Sequence, residues 1–196
     1  MTKSSAPPHT ARRVATAVAG LIAVAAFAAC AHPTADAATR SDAPAATAGA
    51  TASPTSGPST ATAMICHADA QRDLRAILGV DTAAPVRATW HDGRYSCAYR
   101  YAHGASFTLT VQQLADRATA ARFYDTTAAR LGRRTTLTGL GQHAATMQRG
   151  QVVVQKDNDV LVVDPSGLPS RFGNPPDSAA DVALSVAATI MGCWTG

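Results

Sequence analysis

From Ala31 to Ala63 the chain has no Phe, Tyr or Trp and no large aliphatic residue; it is nearly all Ala, Thr, Pro, Ser, Gly and Asp. Such a stretch cannot bury enough apolar area to offset the entropy of ordering it. It therefore reads as a flexible tether, and a packed core has to come from the residues C-terminal to it. The composition changes at Met64-Ile65-Cys66, and residues 64–196 are 133 residues, an ordinary size for one domain. A random coil between Cys30 and Cys66 would span roughly 30–35 Å root mean square.

The segment before the tether is an address. Lys3, Arg12 and Arg13 form a basic leader without acidic residues, and Val14 to Ala29 is an uncharged run, mostly Ala, Val, Leu and Ile. At sixteen residues the run falls short of the ~20 apolar residues that span a bilayer. A basic start, a short apolar stretch and small residues before a cut form the pattern of an export signal, here residues 1–29. Phe27-Ala28-Ala29-Cys30 resembles the lipobox of bacterial lipoproteins, with Phe27 in place of the usual Leu. The resemblance implies a lipid on the Cys30 thiol and a membrane partnership through that anchor on the extracytoplasmic face. Two or more acyl chains, at about 0.8 kcal/mol per buried CH2, give stable attachment. Arg12-Arg13 lacks a following Phe-Leu, so the export route, general or twin-arginine, stays open.

The precursor carries 17 Lys and Arg against 13 Asp. Losing Lys3, Arg12 and Arg13 leaves 14 − 13 = +1, so the basic balance is largely an export feature. No clustered basic face of the kind that holds nucleic acid is legible. Arg130, Arg133 and Arg134 suit a helix end, where cations complement the macrodipole. There is no Glu, so any carboxylate chemistry would fall to Asp.

Asp69 is placed to cap a short helix with Leu74, Ile77 and Leu78 on one face and Gly79 as its stop. Val86–Trp90 and Tyr95–Tyr101 read as strands about an Asp92-Gly93 turn. Phe107, Leu109 and Val111 alternate cleanly. Asp116 opens the longest helix, to about Leu131, with a stripe at Ala120, Phe123, Tyr124, Thr127, Ala128 and Leu131. Thr135–Leu137, Ala144–Gln148, Gln151–Gln155 and Val160–Val163 read as further short strands. Asp164–Pro176 carries four prolines and reads as a surface loop. A last helix buries Val182, Val186, Ala187 and Ile190. The expected fold is α+β: one domain, an antiparallel sheet of about five to six strands, with two to three helices packed on one face.

Four cysteines are present. With Cys30 given to lipid, Cys66, Cys97 and Cys193 remain in a compartment where disulfides persist, and three thiols allow one bridge at most. Three pairings are open on count alone. The order of Cys66 before a short helix ending in Leu78-Gly79, Tyr95-Ser96-Cys97-Ala98-Tyr99, a long helix, Gly139-Leu140-Gly141-Gln142-His143-Ala144, a Val-rich hairpin and a closing helix resembles a group of small actinobacterial envelope lipoproteins. These carry a domain of unknown function and are distantly similar to the extracytoplasmic sensor domains of mycobacterial membrane kinases. The resemblance covers about residues 64–192 and implies a Cys66–Cys97 disulfide. It implies no agreed activity.

Reactive constellations are not evident. His91 lies six residues from Cys97, which does not position a base beside a thiol. Ser166 lacks the Gly-x-Ser-x-Gly elbow. His67, His91, His103 and His143 show no metal-ligand spacing. Asp157-Asn158-Asp159 lacks the distant Glu of a calcium loop and suits a hairpin tip. Gly139-x-Gly141 has no third Gly and suits a bend. Trp90 and Trp194 suit core cover or a partner surface. No catalytic residue, metal ligand or cofactor site is assigned. The expectation is a lipid-anchored extracytoplasmic domain, non-catalytic, that binds or senses a small apolar ligand, a wall component or a protein partner. The alternatives are an envelope enzyme and an assembly accessory.

Overall fold

The structure is a computed structural model that describes residues 57–194. Residues 1–29, read as an export signal, Cys30 and most of the stretch read as a tether lie outside the described residues. Among those described, no helix is long and apolar enough to cross a membrane.

The fold begins earlier than Met64. Thr60–Ala63 is a short helix, α1, followed by a 3-10 turn over Met64–Cys66. Ser59 caps it: its Oγ accepts from the Thr62 N–H at 3.1 Å. The Ser59 N–H donates to Gln113 Oε1 at 2.9 Å, and Thr62 is fully buried. Apolar area is a poor guide here because these residues are held by their polar groups. Helix α2 spans Ala68–Leu78, and its cap is His67 rather than Asp69. Leu74 and Leu78 are buried, but Ile77, expected beside them, is 44% exposed.

Strands β1 (Arg87–His91), β2 (Arg94–Arg100) and β3 (Ser106–Gln113) form a meander. Asp92 and Gly93 both have positive φ, as a two-residue hairpin turn requires. Helix α3 (Arg117–Leu131) follows, capped by Asp116, whose Oδ1 accepts from the Thr119 N–H at 2.7 Å. Strands β4 (Arg133–Leu137), β5 (His143–Met147), β6 (Val152–Lys156) and β7 (Asp159–Gly167) form a second meander. A two-residue ribbon, β8 (Arg171–Phe172) and β9 (Asp177–Ser178), precedes helix α4 (Ala179–Cys193). The meanders join through β3 and β7 into one seven-stranded antiparallel sheet, ordered β1-β2-β3-β7-β6-β5-β4.

The domain is α+β as expected, with seven strands where five to six were expected. The strand beyond six is β4, an edge strand with four of its five residues exposed; it contains Thr135–Leu137, read as a short strand, and starts two residues earlier, at Arg133. Two helices share one face, as expected, and the third, α3, lies on the other. Helices α2 and α4 pack with Tyr99, Phe107, Leu109, Val152, Val154, Leu161 and Val163. Helix α3 packs Ala120, Tyr124 and Ala128 on Ala145, Met147, Val153 and Val160, the opposite side of the same strands. The runs Val152-Val153-Val154 and Val160-Leu161-Val162-Val163 are continuous rather than alternating, the mark of strands covered on both sides.

Strand β7 also enters the stretch read as loop. It continues through Pro165 to Gly167, where the register against β3 shifts between Ser106 and Thr108. A bulge is where a sheet tolerates a residue without an N–H.

Helix α3 covers β5, β6 and β7. The β1–β3 half of that face carries no helix, and the step from covered to open sheet makes a cleft.

Candidate binding cleft

The cleft has a volume of about 310 Å³ and lies between one flank of α3 and the open half-sheet. Pairing register orders its floor. Arg94 stands opposite Gln112, and Gln112 opposite Val160. Four residues further along these strands, Ala98 opposes Thr108, and Thr108 opposes Asp164. The two rows are about 13 Å apart. Between them Ser96 Oγ and Thr110 Oγ1 share a hydrogen bond of 3.0 Å. The helix supplies Phe123, Thr127, Arg130 and Leu131.

Gln151 lies at the Asp164 end. Val152 pairs with Val163, so the residue before it falls beside Asp164. Gln151 is 7% exposed, and its Oε1 is buried with no hydrogen-bond partner among the described residues. A buried amide oxygen left in that state costs about 1–3 kcal/mol.

Charge in the cleft is unbalanced. Arg94 and Arg130 enter no ion pair among the described residues. Arg94 Nε makes only a long bond, 3.4 Å, to Gln112 Oε1. Asp164 accepts the Ser166 N–H at 3.0 Å and faces no cation in an ion pair among the described residues. The lining holds two guanidiniums, one carboxylate, two amides and three threonine hydroxyls. It contains no Cys, His or Lys. This set binds and orients a polar molecule; it has no nucleophile beside a base.

A second depression, on the other flank of α3, is internally satisfied. Arg133 sits 5.3 Å from the Tyr124 ring centroid and pairs with Asp125 at 3.2 Å, and His143 lies 5.6 Å from the same ring. Burial pushes the Tyr124 phenol upward. Gln155 Oε1 is also buried without a partner among the described residues, but its amide nitrogen is tied to the carbonyls of Arg117 and Asp157, and Gln155 lines neither of these two depressions.

The residues considered from sequence are dispersed. Cys66 and Cys97 are joined by a disulfide, with Cα atoms 5.6 Å apart. It fastens the N-terminal turn to β2, where the Tyr99 hydroxyl also donates to the Ile65 carbonyl at 2.6 Å. Cys193 stays outside the bridge, and its Sγ donates to Asp73 Oδ2 at 3.4 Å. His91 pairs with Asp92 at 2.9 Å on the surface. His103 has a φ of 58° in a 3-10 turn. Among the described residues no group of three metal-ligating side chains is brought together. Asp157 and Asn158 form the β6–β7 tip. Trp194 is buried in the main core, and Trp90 is half-buried beside Tyr95. Neither lines the cleft.

The sequence reading does not single out Gln151, Thr108, Thr110 or Asp164, and takes Arg130 only as a helix-end cation. The available signal is the outward face of β2 and β3, Arg94, Ser96, Ala98, Arg100, Thr108, Thr110 and Gln112, which has no apolar residue larger than Ala. That pattern equally describes an ordinary solvated face.

Compared with family models, curated proteins and solved structures, the chain finds no match.

Proposed function

We propose that this chain is a lipoprotein, held through Cys30 on the extracytoplasmic face of a membrane, whose domain binds a polar ligand in the α3 cleft without transforming it. The reading takes its location from the basic leader, the short apolar run and the resemblance of Phe27-Ala28-Ala29-Cys30 to a lipobox. Its kinship is with the small envelope lipoproteins that the order of motifs resembles. The binding role rests on one observation: the Gln151 amide oxygen, buried and unpartnered at the floor of a cleft whose arginines are unpaired among the described residues. Gln151 lines the cleft, and a buried amide oxygen with no protein donor is one that a bound molecule can satisfy.

Gln151→Leu tests the binding role. Removing an unpartnered buried oxygen raises the stability of the ligand-free protein, by about 1 kcal/mol, in urea unfolding. A loss of stability instead would mean that the amide supports the fold, and the reading fails. Cys30→Ala tests the anchor: incorporation of labelled palmitate is lost and the uncut precursor accumulates. Unchanged labelling rules out Cys30 as the lipid site.

A further inference from the structure

We infer that the ligand is an acidic polysaccharide, seated by one sugar in the α3 cleft and running out across the open face of β1–β3. The inference rests on the binding role proposed for the cleft and adds the chemical class and the path.

The open face extends the cleft's chemistry. Arg87 pairs with Ala98 and Thr89 with Ser96, so Arg87 and Thr89 share the face of Arg94, Ser96 and Arg100. Arg87 and Arg100, like Arg94 and Arg130, enter no ion pair among the described residues. Asp164 is the one carboxylate lining the cleft, and β1, β2 and β3 contribute none to this face. Such a surface is complementary to an anion.

The spacing argues for a chain rather than a single anion. Arg87 lies two rows from Arg94, about 13 Å along the strands, and Arg100 one row further, about 20 Å from Arg94. One phosphate or carboxylate cannot engage guanidiniums placed this way; charges repeated along a polymer can. Between the arginines the floor is Thr89, Ser96 and Thr110. Each hydroxyl is one donor and two acceptors, the capacity of the sugar hydroxyls it would face. Within the cleft Phe123 offers an apolar surface for the C–H face of a ring, and the Gln151 amide oxygen is an acceptor with no protein donor among the described residues. An acidic polypeptide would match the arginines but bring no run of hydroxyls to Thr89, Ser96 and Thr110.

The test is calorimetric titration of the detergent-purified full chain with galacturonic acid, tetragalacturonate, neutral maltotetraose and tetraglutamate. Tetragalacturonate is expected to bind at least about tenfold more tightly than maltotetraose or tetraglutamate, because it alone offers both charge and hydroxyls. The double variant Arg87→Gln/Arg100→Gln should weaken tetragalacturonate about three- to tenfold and leave galacturonic acid unchanged, as the arginines act outside the cleft. Gln151→Leu should weaken both. If the arginine variant has no effect, or the tetramer binds no better than the monomer, the path across the sheet is wrong and the cleft remains. Equal binding of tetraglutamate shows charge alone and overturns the saccharide class; equal binding of maltotetraose overturns the acidic one. Displacement of tetragalacturonate by phosphatidylglycerol vesicles that bind more tightly reassigns the face to a lipid surface. If nothing binds and Gln151→Leu is destabilising, the cleft reading falls with the inference.

Discussion

Asp159 gives the sharpest link between one side chain and the stability of the whole domain. It is half-buried at the start of β7, and burial raises its pKa from 3.8 to about 6. The Asp157 carboxylate pushes in the same direction, while a hydrogen bond with the Thr62 hydroxyl pulls the other way. The folded chain therefore holds this proton more tightly than the unfolded chain does. The stabilisation is fully present below about pH 4 and is lost as the pH rises through about 6. At about 1.4 kcal/mol for each factor of ten in acidity, the ceiling is about 3 kcal/mol. A half-buried carboxylate keeps part of its water, so about 1 kcal/mol is the expected cost of its charge at pH 7.5. Asp159→Asn keeps an acceptor for Thr62 and removes that charge. In urea titrations followed by the fluorescence of buried Trp194, the variant should exceed the parent by about 1 kcal/mol at pH 7.5. That is roughly 0.5 M in midpoint, and the two should coincide at pH 4. A parent that gains stability relative to the variant between pH 4 and 6 would refute the argument.

Breaking the disulfide with Cys66→Ser and Cys97→Ala releases a loop whose ends are 31 residues apart, with an expected loss of about 3–4 kcal/mol in the chain-entropy account. Urea unfolding under non-reducing conditions measures it, and a loss below about 1 kcal/mol would show that the unfolded chain gains little freedom. Gly79 has a φ of +62°, and a Cβ there would meet the Asn174 carbonyl oxygen at 2.2 Å. Gly104 has a φ of +76° with nothing within 4 Å. Gly104→Ala should therefore cost about 1–2 kcal/mol, and Gly79→Ala about 2 kcal/mol more. Equal shifts in Tm would remove steric contact as the reason.

The legibility of the fold followed the length and polarity of each signal. Helix α3 is bounded by Asp116 and Gly132 because both ends carry cap chemistry that depends only on neighbours in sequence. The face of β3 is readable because Phe107, Leu109 and Val111 alternate against Thr and Gln. Which face a helix covers is not local information. The unbroken runs around Val153 and Leu161 signal cover on both sides, but nothing in α3 itself says that it crosses to the side opposite α2 and α4. Strand β4 is legible only over Thr135–Leu137; Arg133 and Arg134 join it because β5 is there to pair with it. The cleft is harder still. Gln151 becomes informative when the register puts it beside Asp164 and the packing leaves its oxygen without a donor. In sequence it is one glutamine before three valines.

The Cys66–Cys97 bridge has a mechanical consequence. A pull on the chain from upstream enters the domain at Ser59. The first contacts to yield are hydrogen bonds, Ser59 to Gln113 and Thr62 to Asp159. Peeling can proceed for a few residues and then meets Cys66, where the covalent bond hands the load to β2 inside the sheet. Residues 67–96, with α2 and β1, lie in the slack branch of the loop. Strand β1 is an edge strand, the kind most easily stripped from a sheet, and it carries Arg87. The bridge passes a pull at the leading end of the domain into β2 without sending it along the backbone of β1.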